Sequence, residues 1–182
     1  MMIRKKEILT LLQQYHIPYE ITEHRAVYTM EQLSLVSLPY PEDDAKNLFI
    51  RDDKKRSFYL ITIKGNHRLD LKAFRRQEKI RPLSMASASD LGRLLNLVPG
   101  SVTPLGLLND KSHEVMFYLD RAFLEGSGRI GIHPDDNCAT LWISVEDLIR
   151  LLKSQGIPVL YIFLIRSFYK KANVYSFNRK FR

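Results

Sequence analysis

Two apolar runs, Asn47 to Arg51 and Ser57 to Ile63, stand on either side of a polar joint, Asp52-Asp53-Lys54-Lys55-Arg56. Runs of that length across a short turn-like joint predict a β-hairpin. An apolar strand pair must be covered, so this hairpin constrains everything around it. Residues 3–16 carry Ile8, Leu12 and Tyr15 at helical spacing, with Arg4, Lys5, Lys6 and Gln13 available for the other face, and Pro18 follows as a stop. Tyr19 to Thr22 alternates as a short strand. Thr29 with Gln32 stands in capping-box register, and Pro39 and Pro41 mark a loop. A helix is predicted over 69–78 around Leu71 and Phe74. Ser87 with Asp90 opens another through Leu91, Leu94 and Leu95. Strands are predicted over Val115 to Leu119, Ala139 to Ile143 and Val159 to Phe163. Gly126, Gly128 and Gly131 bracket a turn-rich stretch. Ser144 caps a helix carrying Val145, Leu148, Ile149 and Leu152, with Gly156 and Pro158 just past its end. Strands and helices mix without strict βαβ alternation, which makes α+β the expected class.

The chain has 182 residues, room for one sizeable core, and a single domain is expected. One cysteine, Cys138, excludes an internal disulfide framework and any site needing two thiolates. Phe58 to Ile63 and Val159 to Ile165 are too short to span a bilayer. The first residues, Met1 to Glu7, show no apolar stretch of secretory type, so no membrane role and a cytoplasmic location are expected. The net charge is +8, but the last 17 residues, Arg166 to Arg182, carry six cations and no acid. The body therefore holds about +2, and the basic character is concentrated in the tail. A basic chain invites an anionic partner, nucleic acid first, and that partner must be read from local pattern.

Three segments could carry chemistry. Lys46 leads Asn47-Leu48-Phe49-Ile50, and period two puts it on the face of Leu48 and Ile50. It either enters a cleft as a placed point charge or snorkels from the strand's open end. Gly100-Ser101-Val102-Thr103-Pro104 lets backbone approach a ligand and offers small hydroxyls, or is a plain rigid turn. His133-Pro134-Asp135-Asp136-Asn137-Cys138-Ala139-Thr140 gathers polar groups at a strand entry, or caps its own backbone there. Cys138 reads as a small packed residue. The five histidines lack H-x-x-x-H and H-E-x-x-H spacing, so no metal site is expected. Walker and dinucleotide-binding glycine patterns and a G-x-S-x-G elbow are missing too. A hydrolase of this sequence would work by positioning and polarisation.

Taken in order, Ala45 to Phe49, Ser84 to Ser87, Pro99 to Leu107 and His133 to Thr140, opened by Glu23 to Thr29, resemble the prolyl-tRNA editing family of free-standing aminoacyl-tRNA deacylases. The chain is most similar to the branch that removes alanine from mischarged proline tRNA, and the resemblance runs over about residues 3–163. It implies a single α+β domain with a mixed, mostly antiparallel sheet, surrounding helices and a cleft. It implies an editing domain over 1–165 and leaves 166–182 as a basic tail outside the pattern, a disordered extension or an artificial addition. Lys46 matches the family's essential lysine, which holds the charged 3′ end. Gly100, with Ser101, Val102, Thr103 and Pro104, matches the loop that presents backbone groups to the ester and a hydrolytic water. His133 matches the position limiting the acyl side chain, with Asn137 in the same pocket segment. No cofactor and no metal are implied; the expected partners are aminoacyl-tRNA and, transiently, prolyl-tRNA synthetase. Deacylation of another small acyl group such as cysteine, and a non-catalytic tRNA- or synthetase-binding module, are the alternatives.

Overall fold

The structure, a computed structural model, describes residues 3–27, Gln32 and 35–164. Among these there are eight strands: β1 (Glu20–Glu23), β2 (Ala45–Asp52), β3 (Phe58–Lys64), β4 (Leu83–Met85), β5 (Val115–Asp120), β6 (Arg129–Ile132), β7 (Ala139–Ser144) and β8 (Val159–Ile162). The described α-helices are α1 (Lys5–Gln14), α2 (Leu71–Glu78), α3 (Ala88–Leu95) and α4 (Val145–Ser154). The predicted hairpin is β2 against β3, antiparallel, with Arg51 opposite Phe58 and Ala45 opposite Lys64. Ser87 and Asp90 cap α3 reciprocally, and the Ser144 hydroxyl accepts the Asp147 N–H at the start of α4. Asp70 does the same for α2, taking the N–H groups of Lys72 and Ala73. The cap expected at Thr29 and the tail over 166–182 lie outside the described residues.

The class is α+β, but the strands form two sheets. A five-stranded sheet runs β4-β2-β3-β5-β8, antiparallel except for the parallel pairs β3 with β5 and β5 with β8. A three-stranded antiparallel sheet runs β1-β7-β6. One parallel bridge, Asp44 with Gly131, joins them. β6 occupies ground that the glycines marked as turn. Its Gly131 lies opposite Trp142 of β7, and a Cβ there would overlap the Trp142 ring, so the glycine serves close packing inside a strand.

Alternate residues of the five-stranded sheet feed two cores. Phe49, Leu60, Phe117 and Leu119 face the main core, with α1, α3, α4 and the inner residues of the smaller sheet. Ile50, Tyr59, Ile61, Ile63 and Tyr118 face the other way and are covered by Phe74 of α2. β3 is thus buried on both faces, the physical reason that Phe58 to Ile63 is continuously apolar.

Candidate active site

The outer edge of β2 is where the three predicted segments approach one another. Asp44 carbonyl receives the Gly65 N–H on the β3 side, whereas Phe49 carbonyl receives the Ala86 N–H on the outer side. Peptide groups alternate along a strand, so Ala45 and Asn47 turn theirs outward, as Phe49 does. The outer edge is closed at one end by the Gly131 bridge and at the other by Ala86, and Asn47 stands in the gap.

Asn47 faces the main-core side. Its Oδ1 accepts from the fully buried Thr62 hydroxyl at 2.7 Å, and its Nδ2 donates to the Val102 carbonyl at 2.9 Å. Thr62 fixes which way the amide points, and the amide ties the Gly100–Pro104 loop to the strand. Gly100 has φ 91°, a conformation that favours glycine. Within the loop the two hydroxyls also make local bonds. Ser101 Oγ donates to the Val98 carbonyl at 3.0 Å, and Thr103 Oγ1 accepts from the Leu105 N–H at 3.4 Å, capping a 3-10 turn over Pro104–Asn109. Both side chains are buried, as is Pro104. The partly exposed Gly100 and Val102 keep N–H groups that make no hydrogen bond among the described residues.

Lys46 shares a face with Leu48 and Ile50, as period two requires. With them, Arg68, Leu71 and Met85 it lines a groove of about 370 Å³ on the α2 side of the sheet. Its ammonium makes no ion pair among the described residues. Lys46 and Asn47 therefore adjoin along the chain while their side chains leave by opposite faces. The Asp44–Gly131 bridge is parallel, so β2 and β6 leave it in the same direction, Lys46 two residues beyond one partner and His133 two beyond the other.

His133 is largely buried. Its Nδ1–H donates to the Ala139 carbonyl at 3.0 Å, which leaves Nε2 as the unprotonated nitrogen. Burial pushes its pKa below the ordinary imidazole value, and the His24 ring, 6.4 Å away, adds to this, so the ring is neutral at pH 7. His24 in turn bonds the Arg25 carbonyl through Nδ1 and Thr140 Oγ1 through Nε2. Asn137 uses its carbonyl to receive the Val27 N–H at 3.0 Å, and its Oδ1 lies 3.7 Å from the Cys138 thiol. Lys5 of α1 bonds both Asp136 at 2.8 Å and Glu23 at 3.0 Å. That ammonium holds the Asp136 carboxyl below its usual range, and is itself raised chiefly by Asp136. The 133–140 segment is thereby clamped to α1 and β1.

Sequence reasoning left out Asn47, His24 and Asp44 as site residues. Asn47 carried a readable signal, a lone amide among Ala45 and Phe49 on a buried face. Asp44 carried none, because its burial depends on the meeting of two sheets. Burial pushes its carboxyl up to about 7. Among the described residues, no group of three His, Cys, Asp or Glu is placed to hold a metal ion, and no helix is long and apolar enough to cross a membrane.

Residues 24–151 match the model of the aminoacyl-tRNA editing domain. The chain is 36% identical over 152 residues to the prolyl-tRNA editing protein ProX of Acetoanaerobium sticklandii, across 84% of this chain and 92% of that one. It is 32% identical over 140 residues to prolyl-tRNA synthetase associated domain-containing protein 1 of Bos taurus, across 75% of this chain and 81% of the relative. A crystal structure of a candidate trans-editing enzyme for prolyl tRNA synthetase shares the fold, with a TM-score of 0.62 at 21% identity over 86% of this chain and 94% of its own. With the matched model spanning every segment gathered at the β2 edge, the chain belongs to the aminoacyl-tRNA editing domain family.

Proposed function

We propose that the chain is a cytoplasmic trans-editing hydrolase that deacylates alanine mischarged on proline tRNA, with an editing domain over 1–165 and a basic tail over 166–182. The observation that carries this is the Asn47 tie, which holds the Gly100–Pro104 loop beside the open edge of the strand that bears Lys46. A synthetase pocket made for proline excludes the smaller alanine poorly, because a methylene or so is worth about 1–3 kcal/mol. A second pocket that admits alanine and rejects proline restores accuracy. The aminoacyl ester is already activated, so placing water and polarising the carbonyl suffices. In this reading the Gly100 and Val102 N–H groups face the carbonyl oxygen as negative charge develops there. Water adds to the carbonyl carbon, the bond to the ribose oxygen breaks, and that oxygen leaves with a proton. Lys46 holds the terminal phosphate as a point charge. Neutral His133, fixed by Ala139, walls the acyl pocket; Ser101, Thr103 and Pro104 give the loop its shape, and Asn137 closes the pocket segment.

The test is deacylation of tRNA charged with Ala, Cys, Ser or Pro. Alanine removal is expected to be fastest and to persist after exhaustive chelation. Lys46→Ala should lower kcat/KM by about a hundredfold or more in a folded protein, and His133→Ala should alter the ratio among acyl groups. Near wild-type rates in both variants, or no hydrolysis of any charged tRNA, would refute the reading.

A further inference from the structure

The Asp44–Gly131 bridge is the only strand pairing between the two sheets among the described residues. Beyond it β2 runs on to Asn47 and β6 to His133, so the width of the acyl pocket proposed above depends on the angle at which the two chains part. Telling alanine from proline demands a firm width, since a misplacement of about 1 Å costs about a hundredfold in rate. A single bridge does not fix an angle. Asp43, one residue before the bridge, supplies the second constraint. It ends the 3-10 turn Pro41–Asp43, and its N–H donates to the Tyr40 carbonyl at 3.0 Å. Asp43 is buried, 6% exposed, and its carboxylate takes a cation from each sheet on separate oxygens. Oδ1 lies 3.6 Å from Lys64 Nζ of β3, and Oδ2 lies 3.7 Å from Arg129 Nη1 of β6. Both cations are held in turn. Lys64 Nζ donates to the Glu42 carbonyl at 3.3 Å and stands over the Phe123 ring. The Arg129 guanidinium lies 3.6 Å from the Tyr40 ring centroid, and that ring is set T-shaped against Trp142 of β7. The Tyr40 hydroxyl donates to Glu20 of β1 at 3.1 Å. A buried carboxylate is costly unless paired, so the arrangement favours one spacing of the two sheets.

Resting on the editing reading above, we infer that Asp43 is a positioning residue for acyl selection: its carboxylate, strapped between Lys64 and Arg129, fixes the spacing of the two sheets at the bridge and so sets the size of acyl group that fits between the β2 edge and His133. Asp43 touches no reacting atom. Discrimination between alanine and proline is thus carried in part by a charged strut outside the pocket.

The test is hydrolysis of alanine- and proline-charged tRNA by the full chain, with Trp142 fluorescence as a second readout. Trp142 is the one tryptophan of the sequence, and its ring lies against Gly131 and Tyr40, so its emission reports the junction without substrate. Asp43→Asn keeps the shape and removes the charge. It should lower the alanine-to-proline ratio of kcat/KM about tenfold or more and shift the emission to longer wavelength. Arg129→Gln should act in the same direction, and Arg129→Lys, which retains the cation, should restore most of the ratio. If Asp43→Asn does not fold, Arg129→Gln carries the test, since the Arg129 side chain is 35% exposed. Asp110→Asn is the matched control. Asp110 is also 6% exposed and receives the Glu114 and Val115 N–H groups at the Phe58 end of the larger sheet, away from Lys64. That variant should lose stability with ratio and emission unchanged. An unchanged ratio in folded Asp43→Asn, or an equal fall in Asp110→Asn, overturns the proposal. A changed ratio with unchanged emission overturns it too, because Asp43 would then act on the substrate itself. The two readings fail separately. If the wild type removes alanine and the strut variants keep its ratio, the strut fails and editing stands. If the wild type hydrolyses no charged tRNA, the editing reading fails; an emission shift confined to the strut variants then keeps the strut as the spacer of the sheets, and no shift removes it as well.

Discussion

Asp44 sits where the two sheets touch, and burial alone makes its charge costly, lifting the carboxyl to about 7. In the unfolded chain the same group releases its proton near the ordinary carboxylate value of about 4. Between those values the native state holds a proton that the unfolded state has lost. The stability this group contributes is therefore present at acid pH and is lost as pH rises through about 7. Asp44→Asn keeps the shape and removes the titration. Denaturant unfolding at about pH 5 and about pH 8 should show a smaller loss of stability in the variant than in the wild type. Equal losses would mean that Asp44 is ionised throughout. His133 works with the opposite sign. Burial lowers its pKa, so acidification below the imidazole range forces charge into the clamped 133–140 segment and removes stability at that end. Asp44 forms the bridge with Gly131 and His133 lies two residues beyond it, so both titrating groups stand beside the proposed site.

At the scale of elements, β2 is a strand with two roles divided by its pleat. Asn47→Ala should cut the Val102 tie and leave the buried Thr62 hydroxyl without its acceptor, costing about 1–3 kcal/mol of stability. Because the loop would lose its anchor, kcat should fall about tenfold to a hundredfold with KM changing little; a drop in stability with kcat intact would make Asn47 structural only. Period-two reasoning found the face of Lys46, Leu48 and Ile50, since a strand leaves no choice once its register is set. The caps at Ser87 and Ser144 were equally legible, because capping is chemistry within one turn. What escaped was set by distant partners. β6 looks like a turn until the Trp142 ring accounts for Gly131. The local bonds that the Ser101 and Thr103 hydroxyls make to Val98 and Leu105 were not legible either. The splitting of one expected sheet into two follows from the Asp44–Gly131 contact, which joins residues far apart along the chain.

For the whole molecule, the two faces of the larger sheet differ. In the mechanism proposed above, ester chemistry falls on the main-core side of β2, where Asn47 anchors the loop, while charge gathers on the α2 side, where Arg68, Lys72, Arg75 and Arg76 stand free of ion pairs among the described residues. The acyl group is small and gives an enzyme few handles, so affinity for a charged tRNA must come mostly from phosphates. The tail from Arg166 to Arg182 adds six cations interleaved with Phe168, Tyr169, Tyr175, Phe177 and Phe181, a composition suited to neutralising and stacking on unpaired RNA. Truncation after Ile165 keeps Leu164, which packs against the core under α2, and removes those six charges. Every phosphate that the tail neutralises should, once the tail is gone, take about 0.7 to 0.9 off the salt slope of tRNA binding, depending on whether the strand it belongs to is single or paired. KM for charged tRNA should rise, and kcat at saturating tRNA should stay within about twofold of the full chain, because the ester chemistry proposed above draws on no tail residue. A fall in kcat in a folded truncation would put the tail in the catalytic apparatus. An unchanged salt slope would show that the tail touches no phosphate and that α2 and Lys46 supply the electrostatic hold alone.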